Sequence, residues 1–349
     1  MPLVIDYSHV KELYAQAGEL KVALPAFCAE DRETLEAILQ SVYEYGQEIG
    51  VEDLPIVTAF TSRYPPRGQL RLVSSTGDIR TGFEMMLSDL EILTSPYGKY
   101  GKLRVMPHLD HGFPWLDGDV LLEYADRFAS VMCDASEKPW DENIRLTAEY
   151  VDRVKGRVVV EGAVDEMFEA DGAGEKNELT TPEQALVFLE RTGVDLIVPN
   201  VGTEHRATVN KVVYNSAAAK EIQKAVGNIM CLHGSSSVDG GQIGQLPGDG
   251  FIKINIYTGI AVSGGKSLAR SLLDNVGNIF TAEELQDLVD QGILGRSVLS
   301  DQYANTVMPI KPKLDFVANP PRRDAWVKGV VQKCKSYYEC FNYSRFSQG

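Results

Sequence analysis

Eight short apolar runs recur along the chain, and longer stretches with a helical period separate them. Each run is rich in Val, Ile, Leu or Phe, which is typical of strands buried on both faces of a parallel sheet. The runs are ALPAFC (23–28), LPIVTAFT (54–61), RVMPHLDH (104–111), SVMCDAS (130–136), RVVVEGA (157–163), DLIVPNVG (195–202), IMCLHGSS (229–236) and FIKINIYT (251–258). They predict eight strands.

The stretches between the runs predict amphipathic helices with clear ends. Residues 30–47 place their leucines and isoleucine on one face behind Asp31, a candidate N-cap. A later helix has Thr181 as its cap, Pro182 at its first position and Gly193 at its end. These signals mark helices that follow the strands directly.

Eightfold strand–helix alternation predicts a (β/α)8 TIM barrel with a C-terminal helical extension. The alternative is a doubly wound open sheet, which does not usually use eight such units in this order. We expect one domain over 1–349, with the barrel core at about 20–275 and the extension at about 276–349. Long loops at 62–78 and 165–180 would lie at the catalytic end of the barrel.

Charge and composition narrow the function classes. The net charge is −15, so phosphate backbones would be repelled and no nucleic-acid partner is expected. The chain has no run of 18 apolar residues, so we predict no membrane span, and no secretory signal is visible at the start. The five cysteines lack zinc-type spacing and indicate reduced thiols in a cytoplasmic protein.

Four of the five histidines lie at the ends of strands three, six and seven, and they are His108, His111, His205 and His233. One histidine at a strand end is more often a hydrogen-bonded core residue than a ligand. Three strand ends that converge on one barrel mouth favour a metal site. His111, His205 and His233 would give three imidazole ligands and an open position, the usual pattern of catalytic zinc.

The stretch HLDHG poses a geometric problem for this site. In a regular strand His108 and Asp110 face one side and His111 faces the other. A bend or bulge is therefore required to bring Asp110 and His111 to one site, and we expect Gly112 to permit it.

The motifs HLDHG, GTEH, HGSSS and KINIYT resemble, in order and register, those of the class II, metal-dependent ketose-bisphosphate aldolases. The resemblance covers about residues 10–275. It implies Zn²⁺ or another divalent transition metal, a possible monovalent cation, and a sugar or sugar-phosphate substrate. It also implies a homodimer or homotetramer.

The resemblance assigns the metal to His111, His205 and His233, and the acid/base role to Asp110. It implies that Glu161 supports the site, and that Glu169 or Glu175, in the loop after strand five, is a second acid/base. We expect His108 to support the site or to serve as an alternative metal ligand. The substrate-binding residues that the resemblance implies are Thr61, Ser236, Asn255 and Thr258, and we expect Arg206, Ser235 and Tyr257 to contact the substrate as well.

Four positions depart from the family's pattern, and they are Ala163, Arg206, Ser235 and Tyr257. They replace a glutamate, two glycines and an aspartate. Together these changes touch the metal surroundings, the phosphate loop and the hydroxyl contacts of the substrate. We therefore expect the aldol chemistry with a substrate different from fructose 1,6-bisphosphate.

The residue types fit cleavage of a carbon–carbon bond beside a ketone. Zinc stabilises the resulting enediolate as a Lewis acid, and Asp110 moves a proton on the aldehyde oxygen. Two alternatives are a metal-dependent barrel hydrolase and a non-catalytic binding protein on an aldolase fold.

Overall fold

The computed structural model of the chain describes residues 3–65, 67–166, 179–203, 214–299, 316 and 319–348. Its strands form one closed parallel barrel in the order β1 to β8. The strands are β1 (Leu24–Cys28), β2 (Pro55–Thr61), β3 (Arg104–Gly112), β4 (Ser130–Cys133), β5 (Val159–Ala163), β6 (Leu196–Val198), β7 (Met230–Leu232) and β8 (Phe251–Ile256). The predicted TIM barrel is confirmed, and the open-sheet alternative is wrong because β1 pairs with β8.

Helices follow the strands and surround the barrel. They are α1 (Tyr7–Leu20), α2 (Arg32–Ile49), α3 (Gln69–Leu72), α4 (Ile79–Leu93), α5 (Pro114–Glu123), α6 (Trp140–Val154), α7 (Pro182–Thr192), α8 (Ser216–Val226), α9 (Thr258–Asp274), α10 (Val276–Ile279), α11 (Ala282–Asp290) and α12 (Asn319–Cys340). Short 3₁₀ segments lie at Ala125–Arg127, Ser235–Ser237, Ile243–Asp249, Arg296–Leu299 and Tyr343–Ser347.

The predicted helix ends are confirmed. The Asp31 carboxylate accepts a hydrogen bond from the Thr34 backbone N–H at 2.6 Å and caps α2. Thr181 caps α7 in a reciprocal capping box, Pro182 occupies its first turn, and Gly193 ends it with φ 69°. Local side-chain chemistry thus fixes where α2 and α7 begin, and Gly193 fixes where α7 ends.

Helix α1 covers the amino-terminal end of the barrel. The Tyr7 hydroxyl donates to the Asp195 carboxylate at 2.7 Å, next to the start of β6. The Tyr14 hydroxyl lies 3.3 Å from the Ser130 hydroxyl, at the start of β4. Because one end is closed in this way, the carboxyl ends of the strands form the accessible mouth.

Helix α12 brings the C-terminal part of the chain against α2 and α9. It buries Val330, Cys334 and Tyr338, and the Tyr338 hydroxyl lies 2.7 Å from the Ser41 hydroxyl of α2. The Trp326 indole N–H donates to the Thr34 hydroxyl at 3.0 Å. The division into a barrel core and a C-terminal extension within a single domain stays a prediction.

In the part of the chain that the structure describes, every helix is too short or too polar to cross a bilayer.

The contact between α9 and α12 depends on Gly329. A Cβ at this position would lie 2.4 Å from the Ser263 carbonyl oxygen, a backbone atom that cannot move aside alone. We expect Gly329→Ala to destabilise the protein by about 1–3 kcal/mol through overpacking, measured as a lower midpoint of urea unfolding.

Gly265→Ala is the matched control, because its Cβ would meet Trp326 at 3.9 Å, an ordinary contact. It should keep or slightly raise the midpoint, since alanine favours a helix over glycine by about 0.5–1 kcal/mol. Equal midpoints for the two variants would contradict the close-packing account.

Candidate active site at the barrel mouth

The end of β3 carries the predicted bulge. The pairing of β3 with β4 changes register between Leu109 and Gly112, and His111 adopts the left-handed conformation with φ 47°. This conformation costs a non-glycine residue about 1–2 kcal/mol, and such strain is typical of functional sites. As a result Asp110 and His111 both line the cavity at the mouth.

The left-handed residue at the bulge is His111, whereas we expected Gly112 to permit the bend. Gly112 is required for close packing instead. A Cβ there would lie 2.4 Å from Cδ2 of Leu121 and 3.0 Å from the Met132 carbonyl oxygen. The bulge was predictable from the strand's side-chain alternation, whereas its position depends on packing between β3, β4 and α5.

The His111 ring is held by a carboxylate behind it. Its Nδ1 lies 2.8 Å from Oδ2 of Asp134, and the Ser136 hydroxyl donates to the other Asp134 oxygen at 2.6 Å. The Tyr64 ring stacks on the imidazole at 4.4 Å between centroids. With Nδ1 engaged by Asp134, Nε2 is the nitrogen that faces Asp110, at 3.9 Å from its Oδ1.

His233 is oriented in the same manner from the other side. Its Nε2 lies 2.9 Å from Oε1 of Glu161, and its Nδ1 lies 3.9 Å from Oδ1 of Asp110. The other Glu161 oxygen accepts from Nζ of Lys253 at 2.6 Å, and both side chains are fully buried. Glu161 therefore leaves Nδ1 of His233 directed toward Asp110.

His108 lies deeper and uses both ring nitrogens. Nζ of Lys253 is 3.0 Å from its Nε2, and Nδ1 is 2.8 Å from the Ser130 hydroxyl. Because a lysine ammonium only donates, Nε2 must be the acceptor and Nδ1 must carry the proton. Burial, reinforced by Lys253, lowers the pKa of His108 to about 3, so this histidine is neutral.

Asp110 lies between the two outer histidines. Its Oδ1 accepts from Nδ2 of Asn255 at 2.8 Å, and its Oδ2 accepts from the Cys28 thiol at 3.5 Å. Burial acts to raise the pKa of Asp110, but the facing histidines and Lys253 together hold it well below its ordinary value. Asp110 is therefore a carboxylate in the metal-free protein at neutral pH.

Asn255 offers a further polar group. It lines the cavity, and among the described residues its buried Oδ1 has no hydrogen-bond partner. A buried carbonyl oxygen without a partner is costly, so this atom is suited to accept a hydrogen bond from a bound hydroxyl.

A turn after β7 forms one side of the cavity. Gly234 has φ 69°, and the Ser235 hydroxyl donates to the Asn255 carbonyl oxygen at 2.7 Å, which fastens the turn to β8. Ser236 and Thr258 also line the cavity, and α9 begins at Thr258. The first N–H groups of a helix have no intrahelical acceptor, so the start of α9 favours an anionic group.

The described donor set can hold a metal ion. The ligand atoms of Asp110, His111 and His233 lie within 4.8 Å of one another, and all three residues are buried. In His111 and His233, the ring nitrogen that does not face Asp110 contacts a carboxylate. This arrangement usually supports a metal-bound histidine. Imidazole and carboxylate ligands suit zinc and similar divalent ions.

Known proteins match this architecture over most of the chain. The family described as class-II fructose-bisphosphate aldolase matches residues 8–292. The chain belongs to the class-II fructose-bisphosphate aldolase family. The predicted family resemblance is confirmed, and so is the predicted enzyme class, since aldolases are aldehyde-lyases.

Individual relatives are distant. The fructose-bisphosphate aldolase of Geobacillus stearothermophilus is 25% identical over 294 residues, covering 82% of this chain and 94% of its own. That of Giardia intestinalis is 26% identical over 347 residues, covering 94% and 92%. A crystal structure of fructose-bisphosphate aldolase from Campylobacter jejuni has a TM-score of 0.71 at 18% identity, covering 97% and 95%.

For this aldolase-family chain, the structure brings most of the predicted site residues together. The cavity lining includes Thr61, Asp110, His111, His233, Ser235, Ser236, Asn255, Tyr257 and Thr258. His205, Arg206, Glu169 and Glu175 lie outside the described residues, so their predicted roles stay predictions.

Two predicted residues have contacts that restrict their roles. The Thr61 hydroxyl donates to the Arg67 carbonyl oxygen at 2.6 Å and accepts from the Gln69 backbone N–H at 2.9 Å. It thus holds the loop after β2. His108 has both nitrogens engaged, so the geometry supports a role behind the site and not the alternative of a metal ligand.

Several site residues were missed in the sequence, and they are Cys28, Glu30, Tyr64, Arg67, Asp134 and Lys253. Lys253 had a usable signal, because a lysine inside the apolar run FIKINI is unusual in a buried strand and requires a buried partner. Asp134 directly follows β4. The search of strand ends that found residues after the third and seventh strands would therefore have found Asp134, had it been extended to the fourth strand. The contacts of Glu30, Tyr64 and Arg67 depend on loop geometry.

The protonation of His111 predicts how metal affinity depends on pH. Burial acts to lower the pKa of His111, but Asp110 and then Asp134 raise it to about 9 in the metal-free protein. The pKa of His233 is lowered, first by burial. Metal binding at neutral pH must therefore displace one proton, from His111.

We expect the zinc affinity to rise about tenfold per pH unit from pH 7 to pH 9 and then to level off. Competition with a chelating dye of known pH dependence measures this, and calorimetry in buffers of different ionisation enthalpy counts the released proton. An affinity that is constant between pH 7 and pH 8 would contradict a protonated His111 in the metal-free site.

Proposed function

We propose that the protein catalyses reversible aldol cleavage of a ketose at the mouth of its barrel, with a divalent metal ion, zinc above all, at His111 and His233. The observation that carries this proposal is the buried Asp110 carboxylate, held 3.9 Å from the facing nitrogen of each histidine. The family match supports an aldolase over the hydrolase and the non-catalytic protein.

His205 is the proposed third metal ligand. The Thr203 hydroxyl, two residues earlier, donates to the His233 carbonyl oxygen at 2.8 Å, which supports this assignment. A divalent ion in such a site would supply Lewis-acid stabilisation for the negative charge that develops beside a ketone. Asp110 then remains available as the proton carrier and is not required as a ligand.

In the cleavage direction, Asp110 accepts the proton of the hydroxyl group that becomes the aldehyde. The O–H electron pair forms the carbonyl, and the carbon–carbon bond breaks with its electrons left on the ketone fragment. A low pKa keeps Asp110 ionised for this step, and Nδ2 of Asn255 holds Oδ1 in place. Glu169 is the proposed group that returns a proton to the ketone fragment.

The ketone fragment is proposed to bind between the turn at Gly234–Ser236 and the start of α9. The backbone N–H groups there suit a phosphate, and Oδ1 of Asn255 suits a hydroxyl group. Arg206 is the proposed additional contact on this side. We propose a phosphorylated ketose other than fructose 1,6-bisphosphate, because Ser235 and Tyr257 change the surroundings of both substrate ends.

The substitution Asp110→Asn distinguishes whether Asp110 is a metal ligand or the proton carrier. We expect one bound metal ion per chain, as in the wild type, together with a kcat for cleavage reduced by about 10²–10⁴ because the proton carrier is lost. The measurements are metal analysis of the purified protein and a cleavage assay over phosphorylated and unphosphorylated ketoses.

Asp152→Asn, on the exposed face of α6, is the matched control and should change neither value. Loss of the metal in Asp110→Asn would make Asp110 a ligand, and an undiminished rate would remove it from the mechanism. Turnover of fructose 1,6-bisphosphate as the best substrate would contradict the proposed change of substrate.

A further inference from the structure

Arg67 and Tyr257 line the cavity, and both contact Glu30, so the three residues form a cluster, hereafter the Glu30 cluster. Nε of Arg67 donates to Oε2 of Glu30 at 2.8 Å, and Nη2 of Arg67 donates to the same oxygen. The Tyr257 hydroxyl lies 3.1 Å from Oε2 and 3.2 Å from Oε1 of Glu30. The Arg67 guanidinium also lies 5.3 Å from the centre of the Tyr257 ring.

The cluster is held by the loops that follow β1 and β2. The Thr61 hydroxyl donates to the Arg67 carbonyl oxygen at 2.6 Å. Arg63, in the same loop, forms a 2.8 Å ion pair with Asp119 of α5. Burial, followed by Glu30, raises the pKa of Tyr257 well above its usual range, so the phenol remains a hydrogen-bond donor.

The closed barrel places this cluster on the part of the rim between the proposed ketone and aldehyde positions. The turn at Gly234–Ser236 and the start of α9 follow β7 and β8, whereas Asp110 ends β3. The ends of β1 and β2 lie between these two positions. In the proposed binding mode, with the ketone end after β7 and the aldehyde oxygen at Asp110, the remaining carbons of the substrate lie on the side of the Glu30 cluster.

The charges of the Glu30 cluster determine which group at the end of the substrate's carbon chain it can bind. Arg67 is the only arginine or lysine among the described residues that line the cavity, and it is already paired with Glu30. A phosphate that approached Arg67 would also meet the Glu30 carboxylate, and like charges at this range repel. A hydroxyl group instead finds an acceptor in Glu30 and donors in Arg67 and Tyr257.

We propose that Glu30, Arg67 and Tyr257 form the subsite for the far end of the aldehyde fragment, and that this subsite selects an uncharged, hydroxylated chain over one that ends in a phosphate. The inference rests on the proposed aldol chemistry. It adds a specific reason why the substrate differs from a bisphosphate.

The test is aldol condensation with two acceptors, glyceraldehyde and glyceraldehyde 3-phosphate. The donor is dihydroxyacetone phosphate, or dihydroxyacetone if only that compound is used. For the metal-loaded wild type we expect kcat/KM to be at least tenfold higher for glyceraldehyde. Glu30→Gln keeps the size of the side chain but removes its charge, so the ratio should move at least tenfold toward the phosphorylated acceptor.

Arg67→Gln provides a second variant at an exposed side chain. It leaves the Glu30 carboxylate without its cation, so the preference for glyceraldehyde should increase further. Glu52→Gln is the matched control, because Glu52 is exposed at the opposite end of the barrel, before β2. Its acceptor ratio should equal that of the wild type.

Two results would overturn the subsite. One is a wild type that prefers glyceraldehyde 3-phosphate, and the other is an acceptor ratio unchanged in both Glu30→Gln and Arg67→Gln. Absence of condensation with every acceptor is a different result, because it overturns the proposed aldolase function itself.

Discussion

The buried ion pair between Lys253 and Glu161 is the interaction on which the arrangement of the site depends. Both side chains are fully buried, and a buried charge is tolerated only with a close partner. Each partner also orients a histidine, because Glu161 contacts Nε2 of His233 and Lys253 donates to Nε2 of His108. Loss of either charge would leave the other unpaired beneath the cavity.

The site above this pair has an excess of negative charge suited to a cation. Lys253 balances Glu161, whereas the ionised carboxylates of Asp110 and Asp134 flank His111 and hold its proton until a metal ion replaces it. The bulge at His111 directs the two consecutive side chains, Asp110 and His111, to the same cavity. Barrel closure, the strained backbone at His111 and the buried charges thus together set the positions of the Asp110 and His111 side chains.

The fold was predictable because its signals are local and repeated. Apolar runs gave the eight strands, and the caps at Asp31 and Thr181 marked their helices correctly. The strand-end rule found Asp110, His111 and His233, since parallel strands in a barrel must end on one rim. The Glu30–Arg67–Tyr257 contacts could not be predicted, because they join three loops whose paths depend on tertiary packing. The left-handed conformation of His111 also depends on tertiary packing and could not be predicted.

Anomalous diffraction at the zinc absorption edge, from crystals grown with Zn²⁺, would locate the metal ion. We expect one site per chain at about 2.0–2.1 Å from Nε2 of His111 and Nδ1 of His233, with His205 as the third protein ligand. Nδ1 of His111 should stay on Asp134, and Nε2 of His233 should stay on Glu161. A zinc ion bound elsewhere, or through the opposite ring nitrogens, would overturn the proposed metal site.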